Sequence, residues 1–311
     1  MNNTHLTGLI AAPLTPFNSD YSLNLDVVPR LADHLTRQQV DGAFICGTTG
    51  EWPSLTGAER RALAEAWRKV TGPNLKLIIH VGHNCLADSQ DLARHAESLE
   101  ADAIGSLSTS FFHSATLDDV VEYCRKIALA APHTPFYYYH MPEMTGENFN
   151  MAELLLAAGK AIPTFRGIKF THSDMMDYGL TVAAAGDQYD VLFGRDQFLL
   201  AALALGAKGA VGTTYNHSAR LYHKLMKAHA AGKVVEAREA QVYVQRIMRS
   251  QYKAGGVIVA GKAILAFQGI DCGPVRPPLT SLVGGKLATL KAELDTLDFF
   301  AQAGFSFRDA R

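Results

Sequence analysis

Three features of this 311-residue sequence predict a (β/α)8 TIM barrel with a C-terminal helical extension. Eight short apolar runs start at intervals of about 20 to 35 residues, the spacing left when each strand of a parallel sheet is followed by a crossover helix. Longer segments of helical periodicity fill the intervals, several of them opened by capping residues. Beyond the eighth run about 95 residues remain, with further helical periodicity. A doubly wound open sheet shares the local pattern, and the count of eight is what favours a closed barrel.

In order, the predicted strands cover 8–12, 43–46, 77–81, 103–106, 136–139, 165–169, 191–193 and 210–212. Thr56 and Glu59 in LTGAERRAL have capping-box spacing. Thr116 precedes LDDVVEYCRKIA, and Asp174 or Asp177 can open DMMDYGLTVAAA. The stretches 234–251 and 287–297 read as helices of the extension. No linker divides the chain, so 1–216 is expected to be the barrel core through strand eight. Residues 217–311 then hold the final barrel helix and the extension, in one structural unit.

Hydrophobic residues make up 48% of the chain, enough for a large core, and 29 basic residues balance 30 acidic ones without a dense basic cluster. That balance leaves no footprint for nucleic acid or an anionic membrane and points to small-molecule partners. The N-terminal stretch lacks a basic segment followed by an apolar core, and no apolar run approaches membrane-spanning length. A soluble cytoplasmic protein is expected. Cys46, Cys85, Cys124 and Cys272 lack CxxC spacing, which predicts neither disulfides nor a zinc site. His80 and His83 in IIHVGHN are three apart, so on a strand they face opposite ways, and no metal site is expected there.

Polar residues collect at the predicted strand ends: Thr48, Thr49, His80, Ser106, Ser108, Tyr139, Lys169, Thr171, Asp196 and Thr213. In a barrel these ends and the loops after them form the catalytic mouth. Lys169 interrupts the otherwise apolar TFRGIKFTHSD. It is either a structural lysine, ion-paired or snorkelling to water, or an amine kept neutral enough to attack a carbonyl, because apolar surroundings disfavour the ammonium. In FYYYHMP, alternation sends Tyr137 and Tyr139 to one face and Tyr138 to the other. Such a strand serves barrel packing, or carries a phenol that shuttles protons to and from an imine. ICGTTGEWPSL is no Walker loop, since no lysine follows its glycines and Glu51 would repel a phosphate. Its turn at Gly47 and Gly50, with the hydroxyls of Thr48 and Thr49, could instead bind a carboxylate.

Taken together, GTTGE, the YxxP of Tyr139 to Pro142, and GIKFT around Lys169 resemble the pyruvate-dependent class I aldolases of the N-acetylneuraminate lyase and dihydrodipicolinate synthase superfamily. The resemblance starts at GLIAAPLTPF, includes GAKGAVGTTYN and continues to GPVRPPL, and its motifs look closest to the animal-type lyases. It implies Lys169 as the Schiff-base lysine, Tyr139 as the proton-transferring phenol, and Thr48 with Thr49 as the carboxylate clamp. Around the polyhydroxylated part of a sugar acid it implies Thr171, Gly194, Asp196 and Thr213. The implied reaction is reversible cleavage of N-acetylneuraminate to N-acetylmannosamine and pyruvate in a homotetramer, with no cofactor and no metal, because the iminium is the electron sink.

Two departures from the family pattern stand out. Gln197 replaces the glutamate that follows the aspartate in the lyases, and Phe111 with Phe112 occupies the place of paired tyrosines in many superfamily members. The synthases carry an arginine shortly after the YxxP proline, where this chain has Glu143-Met144-Thr145, so the synthase reading loses its cation. The alternatives are an aldolase or dehydratase acting on a shorter 2-keto-3-deoxy sugar acid, the synthase, and a non-catalytic sugar-acid binder.

Overall fold

Parallel pairing runs around the whole ring in a computed structural model that describes residues 5–305. Strands β1 (Gly8–Ala11), β2 (Gly42–Ile45), β3 (Lys76–His80), β4 (Ala103–Ser106), β5 (Phe136–His140), β6 (Phe165–Phe170), β7 (Asp190–Phe193) and β8 (Gly209–Gly212) pair in sequence order, and β8 closes on β1. Closure excludes the open doubly wound sheet. Each strand end lies within one residue of the sequence expectation, because these runs are buried on both faces and end where polar residues begin.

Helices α1 (Val28–Arg37), α2 (Gly57–Arg68), α3 (Leu86–Ser98), α4 (Leu117–Ala128), α5 (Pro142–Thr145), α6 (Met151–Ala161), α7 (Met175–Ala185), α8 (Leu199–Ala204) and α9 (Tyr215–Ala230) surround the strands. Thr56 with Glu59 and Thr116 with Asp119 form reciprocal capping boxes. Asp174 caps α7 by accepting the N–H groups of Met176 and Asp177, whereas Asp177 turns inward and accepts the N–H of Met151. The extension consists of α10 (Val234–Lys253), α11 (Val257–Phe267), α12 (Gly284–Thr296) and α13 (Phe299–Gln302). Among the described residues no helix is long and apolar enough to cross a membrane, and all four cysteines are free thiols.

Strand alternation sorts the apolar residues into two cores. Leu9, Ala11, Ile45, Tyr138, Ile168 and Phe170 pack outward against the helices. Ile10, Phe44, Ile78, Tyr137, Tyr139 and Leu192 fill the barrel. Lys169 falls inside because of one irregularity. Phe136 pairs with Phe165 but Tyr137 pairs with Gly167, so Arg166 is an extra residue in β6. Since side chains alternate with a period of two, the extra residue shifts everything after it to the other face. Were Arg166 to take a regular place opposite Tyr137, Lys169 would stand opposite His140 and point at the helices; with Arg166 bulged out Lys169 pairs with Tyr139. Gly167 permits the local approach, since a Cβ there would meet the Asp190 carbonyl oxygen at 1.9 Å.

Candidate active site

At the C-terminal mouth of the barrel a cavity of about 250 Å³ is lined by every residue singled out for chemistry or binding: Thr48, Thr49, Tyr139, Lys169, Thr171, Gly194, Asp196, Gln197 and Thr213. His80, Ser106 and Ser108, also at strand ends, are buried outside this lining. His80 supports it from behind, with its Nδ1 bonded to the Cys46 carbonyl at 2.8 Å and its ring edge-on to that of Tyr139 at 5.8 Å.

β6 brings Lys169 to the cavity floor, only 4% exposed. Its Nζ lies 3.9 Å from the centroid of Phe44 and 3.8 Å from that of Tyr139. Burial disfavours the charged form and pushes the amine pKa down from 10.5 to about 7, with the Asp196 carboxylate opposing the shift. A sizeable share of this lysine is therefore neutral near neutral pH.

β5 places the Tyr139 hydroxyl 3.2 Å from Thr48 Oγ1 and 3.0 Å from the Met141 sulfur. Burial raises the phenol pKa to about 12, with the Thr48 hydroxyl acting the other way, so the phenol stays protonated. Tyr137 shares that strand face but lies deeper, where its hydroxyl donates to Asp190 at 2.6 Å. The turn after β2 carries Thr48 and Thr49, and Thr49 Oγ1 is 2.6 Å from Thr213 Oγ1 on the loop after β8.

Asp196 opens the 3-10 turn after β7 and is buried. Its Oδ2 accepts from Thr214 N–H at 2.8 Å and from Thr214 Oγ1 at 2.6 Å. Burial raises its pKa, opposed first by these bonds and then by Lys169. Two glycines allow this packing. A Cβ on Gly212 would meet Asp196 Oδ1 at 2.1 Å, and one on Gly194 would meet Thr171 Oγ1 at 1.9 Å. Gln197 lines the cavity while its backbone carbonyl is held by Gln245 Nε2 of α10 at 2.8 Å.

The sequence reading did not anticipate the outer wall. Arg195 ion-pairs with Glu143 across the mouth, and Met248 and Tyr252 of α10 with Val257 and Ile258 of α11 complete the lining. Glu143 follows the YxxP proline and Arg195 stands between Gly194 and Asp196, so proximity to the motifs was the available signal for both. The helical residues carry no local signal, because only the fold of the extension brings them to the mouth. Phe111 and Phe112 stand apart from the cavity, exposed and in edge-on contact with each other.

A closed parallel barrel whose mouth holds a dehydrated lysine between aromatic faces, beside a phenol and paired threonine hydroxyls, defines a lysine-centred barrel of the aldolase type. The chain belongs to the dihydrodipicolinate synthetase family, whose sequence profile matches residues 5–297. It is 44% identical to the N-acetylneuraminate lyase of Xenopus tropicalis over 281 residues, covering 89% of this chain and 92% of the relative. To the N-acetylneuraminate lyase of Homo sapiens it is 38% identical over 302 residues, covering 95% and 94%. The solved structure of Proteus mirabilis N-acetylneuraminate lyase superposes with a TM-score of 0.92 at 40% identity, covering 95% of this chain and all of that one.

Proposed function

We propose that this chain is a class I aldolase, a carbon-carbon lyase that reversibly cleaves N-acetylneuraminate to N-acetylmannosamine and pyruvate. The observation that carries the proposal is Lys169, an amine stripped of water and held between two aromatic faces with its pKa lowered to about 7. The lyase names of its relatives supply the substrate.

In this reading the hydroxyls of Thr48 and Thr49 hold the substrate carboxylate. The neutral amine of Lys169 attacks C2, and the carbinolamine loses water to give a protonated imine. Breakage of the C3–C4 bond sends its electron pair into the imine, forming an enamine, while the C4 hydroxyl loses its proton and leaves as the aldehyde of the amino sugar. Protonation of the enamine at C3 and hydrolysis by water then release pyruvate and restore the amine. Tyr139 is the relay for these protons. A phenol that stays protonated accepts one proton only as it passes its own to the next acceptor, and the Thr48 hydroxyl within bonding distance suits that role. Thr171, Gly194, Asp196, Gln197 and Thr213 surround the polyhydroxylated tail.

The test is sodium borohydride added with pyruvate, which is expected to fix one pyruvate-derived adduct on Lys169, together with release of pyruvate from a panel of sugar acids. An adduct on Lys208 or Lys262 would overturn the site, and release from shorter 2-keto-3-deoxy acids alone would overturn the substrate. A homotetramer in the cytoplasm is the assembly proposed with this activity. A monomer by light scattering at micromolar concentration would remove it.

A further inference from the structure

A second buried lysine lies outside the cavity. Lys262 follows Ile258, a cavity residue, by about one turn of α11. Its Nζ sits 2.9 Å from Glu51 Oε1, and the two side chains are only 5% and 1% exposed. The same ammonium donates to the Pro274 carbonyl and lies 4.4 Å from the centroid of Phe17. The second oxygen of Glu51 accepts the N–H of Arg276 at 2.8 Å. Arg276 in turn reaches the Ser54 and Tyr21 carbonyls and the Glu59 carboxylate. Residues 274–276 and α11, both from the extension, therefore converge on one carboxylate of the barrel.

That carboxylate ends the turn carrying Thr48 and Thr49. The Glu51 N–H donates to the Thr48 carbonyl at 3.0 Å, and the Gly50 carbonyl accepts from Thr15 Oγ1 at 2.7 Å. The turn is bracketed by two non-glycine residues in the left-handed region, Cys46 at φ 54° and Glu51 at φ 57°. A side chain makes this conformation costly, so it persists only where surrounding contacts impose it. At Glu51 the contacts are Lys262, Pro274 through that lysine, and Arg276. None of them touches the cavity, yet Glu51 is two residues from Thr49 and three from Thr48.

We propose that the buried Lys262–Glu51 ion pair is a positioning element that holds the Thr48–Thr49 turn in its carboxylate-binding shape, so that affinity for the 2-oxo acid depends on a strut from the C-terminal extension. The inference rests on the aldolase reading and adds the group that orients its clamp. A pair serving stability alone would change folding without distinguishing ligands that carry a carboxylate from ligands that do not.

The experiment measures borohydride trapping at Lys169 as a function of pyruvate concentration, and in parallel of hydroxyacetone, a ketone lacking the carboxylate. It compares the native protein with Lys262→Met, Lys262→Arg, Glu51→Gln and the double variant Glu51→Gln/Lys262→Met. Lys262→Met alone leaves a carboxylate buried without its cation and is the variant most at risk of misfolding. The double variant removes both charges, and Glu51→Gln keeps an acceptor for the Arg276 N–H. For Lys262→Met and the double variant, half-saturating pyruvate is expected to rise about tenfold or more, as for a displaced binding group. Hydroxyacetone dependence and the trapping rate at saturation stay close to native, and Lys262→Arg recovers most of the affinity. A Lys262→Met or double variant that is folded by circular dichroism and whose half-saturation with pyruvate matches the native protein would overturn the strut, as would equal losses for both ketones. Native protein that pyruvate fails to label at Lys169 would instead overturn the aldolase reading.

Discussion

Replacing Lys169 by Met should stabilise the fold while abolishing aldolase activity, and the stabilisation should depend on pH in a defined direction. Met has a similar unbranched shape and no charge to bury. In the folded protein the amine pKa falls from 10.5 to about 7, so the folded state holds this proton less tightly by about 5 kcal/mol. At pH 6, where the lysine is charged in both states, Lys169→Met is expected to gain up to about 5 kcal/mol.

The depressed pKa fixes the sign. Between about 7 and 10.5 the unfolded chain binds more protons at this residue than the folded one, so the native protein gains stability as pH rises through that window. The advantage of the Met variant is largest and flat below about 7 and fades towards 10.5. Between pH 6 and pH 9 it should shrink by about 2 to 3 kcal/mol. Urea unfolding of both proteins at matched concentration across this range, followed by circular dichroism, reads the difference. A gain that does not change with pH, or a Met variant less stable than native at pH 6, would refute the argument that burial of an ammonium is what lowers this pKa.

The initial rate of pyruvate trapping should climb about tenfold per pH unit in acid and level off above about 7, following the neutral amine; levelling only above pH 9 would mean an ordinary lysine. Tyr139→Phe should lower turnover by about 100-fold or more while pyruvate binding persists, and near-native turnover would make the phenol structural. Gln197→Glu should shift kcat/KM towards N-acetylneuraminate over tail-modified analogues by about tenfold, the difference between charged and neutral acceptors; equal ratios would mean that residue 197 does not read the tail. Deleting Arg166 should leave Phe165, Gly167, Ile168 and Lys169 in regular register with Phe136 to Tyr139, so Lys169 keeps facing the cavity and trapping persists; loss of trapping in a folded variant would show that the bulge is needed for more than register.

Most of the fold was legible because its signals are local. Apolar runs of strand length and the Thr56 and Thr116 capping boxes act over a dozen residues or fewer, strand and helix alternate from one unit to the next, and each strand lies within one residue of its expected bounds. The facing of Lys169 was not legible in the same way. Its inward direction depends on Arg166 being bulged out of register rather than paired, which shows only when β5 and β6 are laid side by side. The mouth divides likewise. Motif residues from five strand ends could be assembled on paper, whereas Met248, Tyr252, Val257 and Ile258 reach the cavity from more than 30 residues beyond β8. Nothing in their own sequence marks them. Glu51 was read as a charge that excludes phosphate, and its bond to Lys262 crosses more than 200 residues.

The two buried lysines show why a low pKa alone does not identify a nucleophile. Burial lowers the pKa of both, and a carboxylate opposes the shift in both. They differ in what the nitrogen touches. Lys262 has the Glu51 carboxylate at 2.9 Å and a backbone carbonyl, so two of its three protons are engaged and its nitrogen is held as an ammonium between fixed acceptors. The carboxylate that acts on Lys169 belongs to Asp196, whose Oδ2 is already committed to Thr214, and the near neighbours of the amine are aromatic faces. Such faces favour the cation weakly and leave the nitrogen lone pair unobstructed once the proton departs. Lys169 also lines the cavity, while Lys262 is sealed behind the turn that binds the carboxylate. Reactivity therefore follows from the combination of burial, weak pairing and access, which Lys169 alone of the two possesses, and the strong pairing of Lys262 suits it to hold the turn in place.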